Sequence, residues 1–133
     1  MSNYAAFMAD VAEKPEVKEV VVSKRFKKAD GTPEVWKIRA LTADEDSALQ
    51  EKSVVDTASG RDLDRVKYTA LWVAESVVYP NLNTAALQDS YGVKSAAALL
   101  TKMLYKAEYD KLAAEVQKMN RQTLPELVND AKN

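Results

Sequence analysis

The chain has 133 residues, 47% of them hydrophobic and 29% charged, which suits one folded domain with a core of useful size. Its 19 basic and 20 acidic residues leave a net charge of −1, which argues against a nucleic-acid binder that needs a basic face to neutralise phosphates. With no cysteine and no histidine, disulfides, Cys/His zinc sites, cysteine nucleophiles and histidine acid–base chemistry are all excluded.

Met1 to Tyr4 carries no basic stretch leading into an apolar run, so no secretory signal is expected. No apolar run approaches the roughly 20 residues needed to span a bilayer. The chain is therefore expected to be soluble and made in a cytoplasm. Tyr4, Phe7, Met8 and Val11 follow the i, i+3, i+4, i+7 spacing and predict a short amphipathic helix from about Asn3 to Glu13, stopped by Pro15. A helix this short must dock on something or fray.

Lys18 to Lys27 alternates Val20, Val22 and Phe26 against Val21, Ser23 and Arg25 and reads as a strand. Asp30-Gly31 with Pro33 is turn chemistry, and Val35 to Leu41 reads as a second strand with Trp36 and Ile38 facing inward. Thr42-Ala43-Asp44-Glu45 is a capping box, opening a helix to about Val54 or Val55. Ser59-Gly60 breaks the pattern. A second helix follows from Asp62 to about Val78, with a stripe of Leu63, Val66, Ala70, Val73, Ala74 and Val77.

After Pro80, Thr84 to Ser90 predicts a short helix, with Gly92 suited to a left-handed stop. Ser95 caps a helix from Ala96 to about Tyr105, and Lys106 to Glu108 bends or breaks it. Tyr109, Leu112, Val116 and Met119 form one more stripe. Thr123-Leu124-Pro125-Glu126 starts a terminal helix through about Lys132. The expected class is α+β: a β-hairpin over about residues 18–41 packed against a mostly helical C-terminal two-thirds. The whole of 1–133 is expected to form a single domain, with 1–15 a loosely docked helix and 122–133 a short terminal one.

Few residues point to chemistry. Asp44, Glu45 and Asp46 complement a helix dipole in a first turn. Asp62 and Asp64 are two apart and share no helix face. Gly31, Gly60 and Gly92 are too scattered for a phosphate-binding loop. No catalytic residue, metal ligand or cofactor is expected. The segment Tyr91-Gly92-Val93-Lys94-Ser95 resembles the turn of a helix–turn–helix, but the following helix opens Ala96-Ala97-Ala98, which offers base edges neither donors nor acceptors. Lys24, Arg25, Lys27 and Lys28 read as a solvated strand tip. More informative is the apolar set Leu99, Leu100, Met103, Leu104, Tyr105, Leu112, Val116 and Met119. Core packing explains part of it. The remainder is a candidate partner-binding face, since Met-bearing helical faces adapt to other helices.

The segments EVVVSKRFK, PEVWKIRALTADED, YPNLNTAALQDSYGVKSAAALLTKML, EYDKLAAEVQKMN and ELVNDAKN, in this order from about Glu19 to Asn133, are similar to the XkdN-like phage tail assembly chaperones of contractile-tailed phages and related prophages. KRF…WKIR and LQDSYGV…LL…ML…EY are the most specific pieces. One departure stands at Arg121-Gln122, where such proteins often carry Gly-Phe after the residue matching Asn120. The resemblance implies a non-enzymatic protein of the host cytoplasm. It implies one that binds the tape measure protein, keeps it soluble, helps tail tube subunits assemble around it, and is absent from the mature virion. It also implies a frameshift-extended form, and self-association is a further expectation. A minor tail or connector protein is the alternative within phage assembly; a small helix–turn–helix regulator is the alternative from another class.

Overall fold

The structure is a computed structural model and describes residues 4–120. The expected α+β class holds. Strand β1 (Lys18–Val20) pairs antiparallel with β2 (Trp36–Ile38), matching Val20 to Trp36 and Lys18 to Ile38. The regular pairing is shorter than the alternation implied. Beyond Val20 the chain leaves the ladder but keeps its inward side, so Val22 is buried and Phe26 packs against the core. An isolated bridge between Lys27 and Pro33 closes the loop.

Helix α1 (Ala43–Lys52) begins at the expected capping box, with the Thr42 hydroxyl accepting from the Glu45 amide and the Glu45 carboxylate accepting from the Thr42 amide. It ends earlier than expected. Val54 and Val55 instead enter β3 (Val54–Thr57), which pairs with β4 (Gly60–Leu63) across the two-residue loop Ala58-Ser59. The β-branched Val54, Val55 and Thr57 favour a pleated ribbon over a further helical turn. Gly60 takes a positive φ of 122° there.

Helix α2 (Arg65–Ser76) starts at the Asp64 cap, whose carboxylate accepts from the Lys67 amide. Val66 was expected on its buried stripe but is 83% exposed, because α2's first turn runs past the core; Val73 and Ala74 carry the buried face. The predicted continuation to Val78 is also corrected. Val77–Tyr79 forms β5, paired antiparallel with β2, so the sheet has three strands in the order β1-β2-β5. Two successive valines are stiff in a helix, and the open edge of β2 offers them ladder hydrogen bonds.

Helices α3 (Ala85–Ser90), α4 (Ala96–Met103) and α5 (Lys106–Asn120) complete the described chain. Gly92 stops α3 with a φ of 67°, as expected of a left-handed glycine. Leu99, Leu100, Leu112 and Val116 meet Trp36, Ile38 and Val73 in one buried cluster between sheet and helices. Among the described residues the buried polar ones are Ser53 and Ser76, and each hydroxyl donates to the carbonyl four residues earlier.

The N-terminal helix expected over Asn3–Glu13 is reduced to a 3-10 turn at Ala5–Phe7. Its stripe is exposed: Phe7 is 79% exposed, and Tyr4, Met8 and Val11 are exposed with it. The helix expected over 122–133 lies outside the described residues.

Candidate protein-interaction site

The corner between α4 and α5 gathers the residues singled out by the sequence. Ser95 caps α4 by accepting from the Ala98 amide. The helix carries Leu99, Leu100 and Met103 into the core. Leu104 is extended, with φ −97° and ψ 139°, and breaks the helical path while staying buried. Tyr105 then turns outward and is 71% exposed. On α5, Leu112 and Val116 are fully buried, with Tyr109 and Met119 half-buried beside them.

Of the eight candidate partner residues, Tyr105 alone is exposed in the folded chain. Leu99, Leu100, Met103, Leu104, Leu112 and Val116 are core side chains and Met119 lines its margin. A partner can reach the six core side chains only by displacing packed neighbours, while Met119 is partly accessible at the margin. The excess of Leu and Met in this region is used first to bury the sheet.

Sequence reasoning missed the polar half of the corner. Arg25 was expected to be solvated at the strand tip. Instead its guanidinium donates to both carboxylate oxygens of Glu108, at 2.7 and 2.8 Å, and to the Met103 carbonyl at 3.1 Å. It lies between two rings, 4.8 Å from the centroids of Phe26 and Tyr105. Glu108 also accepts from the Tyr105 amide at 2.8 Å, which places it at the third position of α5 as a helix-start acceptor. The signal was present as a glutamate three residues after Tyr105, in a stretch read instead as a break.

The same construction recurs at α1. Arg39, following β2, donates to both oxygens of Glu45, at 2.7 and 3.0 Å, while Glu45 accepts from the Thr42 amide. In each case a bidentate arginine and a helix-start amide converge on one carboxylate. The arginine is the larger influence, and both Glu45 and Glu108 are held down at about 2 from the usual 4.5. A depressed carboxylate contributes stability that is complete above the unfolded value and lost as pH falls through the folded one. Urea midpoints measured downward from pH 4.5 to 2 are therefore expected to fall, and less steeply in Glu108→Gln than in wild type. Equal slopes would show that the pair adds no pH-dependent stability.

Other chemistry is sparse. Among the described residues no cluster of carboxylates is placed to hold a metal ion, and no helix is long and apolar enough to cross a membrane. Ala96 and Ala97, at the start of the would-be recognition helix, pack against the core. On the other side of α5, Ala113, Gln117 and Asn120 line a cleft of about 710 Å³ shared with Tyr68, Thr69 and Trp72 of α2.

A sequence model of phage XkdN-like tail assembly chaperone proteins matches residues 4–132. The chain belongs to this family. Family membership carries a role in phage tail assembly, with proteins as the partners, and the family's role is not an enzymatic one. The crystal structure of the protein YqbN is similar, with a TM-score of 0.78 at 22% sequence identity over 90% of this chain and 97% of that one. At that identity the likeness establishes the shared fold. No curated protein matches the chain.

Proposed function

We propose that this chain binds the tape measure protein of its phage in the host cytoplasm, keeps it soluble before the tail tube encloses it, and helps bring tube subunits to it. The observation that carries the reading is the family match across residues 4–132. A protein that sets tail length is long and helical, and its apolar stripes need cover until the tube forms. A mostly helical partner rich in Leu and Met can supply such cover. Tyr105 is the proposed first contact, because it is the exposed aromatic next to the apolar α4–α5 corner.

Co-expression tests this directly. With the chain present, the tape measure protein is expected in the soluble fraction and is expected to co-purify with the chain. Finished particles are expected to lack the chain. A tape measure protein that stays insoluble and unbound would overturn the reading. Stoichiometric chain in washed, mature particles would favour a structural tail protein instead.

A further inference from the structure

The α5 helix is 15 residues long; it buries Leu112 and Val116 fully in the core, with Tyr109, Ala113 and Met119 partly buried against it. What else holds it lies along its sides. Glu108, Lys111 and Glu115 share one stripe at helical spacing, adjoining the buried stripe. All three are tied to the segment around β1: Glu108 to Arg25, Lys111 to the Val21 carbonyl at 2.6 Å, and Glu115 to Lys18 at 2.5 Å. The opposite stripe, Ala113, Gln117 and Asn120, faces the open cleft toward α2. At its far end, Asn120 accepts from the Leu41 amide at 2.5 Å. At its near end the helix is joined to α4 through the extended Leu104. One side of the helix is thus latched by charged and polar groups at the surface, and the other lines the cleft toward α2.

We propose that α5 is a hinged flap that opens as a unit about Leu104 and is kept shut by the polar rim of Lys18, the Val21 carbonyl and Arg25. Opening parts Leu112 and Val116 from the cluster they share with Leu99, Leu100 and Met103. The buried members of the apolar set then become reachable without global unfolding. This use of the flap rests on the chaperone reading above: a client's apolar helix takes the place that α5 leaves. Lys18 and Arg25 are partly exposed at the rim, so added salt weakens their pairs with Glu115 and Glu108.

Amide hydrogen exchange on the full chain, without any partner, tests the flap. Amides of α5 are expected to exchange about tenfold faster than those of α2 and α4. Arg25→Ala is expected to speed α5 by about tenfold more while leaving α2 unchanged. Lys18→Ala, which removes a link away from the helix start, is expected to act in the same direction if Arg25→Ala fails to fold. The three helices exchanging at a common rate, or variants that leave α5 unaffected, would overturn the proposal.

The chain lacks cysteine, so Lys18→Cys and Glu115→Cys can be joined selectively by a thiol-cleavable bismaleimide. The locked chain is expected to lose the ability to keep the tape measure protein soluble and to regain it on cleavage. Equal activity locked and unlocked would overturn the role of opening in binding. An unlocked chain that never solubilises that protein counts against the chaperone reading alone, because exchange reports the flap without a partner.

Discussion

Replacing Trp36 by alanine is expected to lower the stability of the folded chain by about 3–5 kcal/mol, a large share of a typical domain's total. Trp36 is 1% exposed in the middle strand of the three-stranded sheet. Its ring meets that of Phe26 at 5.9 Å, and its strand is paired on both sides. Truncation removes the aromatic area and leaves a cavity that two hydrogen-bonded neighbours prevent from collapsing. Urea unfolding followed by circular dichroism measures the loss, with an unchanged slope marking a true stability effect. A drop under about 1 kcal/mol would mean that the site repacks and that the core is not centred on Trp36.

The second large effect separates core from surface within the apolar set of α4 and α5. Leu100→Ala is expected to cost about 2–5 kcal/mol, since Leu100 is fully buried. Tyr105→Ala is expected to cost no more than about 1 kcal/mol, the scale of an exposed ring stacked on a guanidinium. Recovery of the tape measure protein in co-expression is expected to show the reverse specificity: Tyr105→Ala folds normally and recovers less of it. Thermal midpoints and pull-down yields from the same preparations give both answers. A Tyr105→Ala chain that binds as wild type would move the first contact away from the corner.

Local signals in the sequence carried most of the fold. Thr42 with Glu45, Ser95 ahead of three alanines, and Gly92 after a short helix each state a helix boundary in the chemistry of neighbouring residues. Trp36 and Ile38 declared their inward side by alternation. What stayed hidden depended on distant partners. Val77–Tyr79 reads as the end of a helix until the edge of β2 is known to be open beside it. Val54 and Val55 read as helix until β4 is available to pair with them. Val66 fits the buried stripe by period, yet period does not reveal where the core ends. At the candidate site, the apolar residues were legible as a group. Their division into core and surface was not, because that depends on how much of them the sheet consumes. Arg25 looked like one more basic residue at a strand tip, and only the fold brings Glu108 to it from 83 positions away.

That separation has a consequence for synthesis. The bonds from Lys18, Val21 and Arg25 to α5 close over 97, 90 and 83 positions of chain. The buried cluster likewise joins Val20 and Trp36 to Leu112 and Val116. A chain emerging from the ribosome makes β1 well before α5, and that strand waits for 83 to 97 further positions to be made before it has its cover. Until then Val20, Val22 and Trp36 have no finished core to enter, and the nascent chain itself is an apolar client in need of protection.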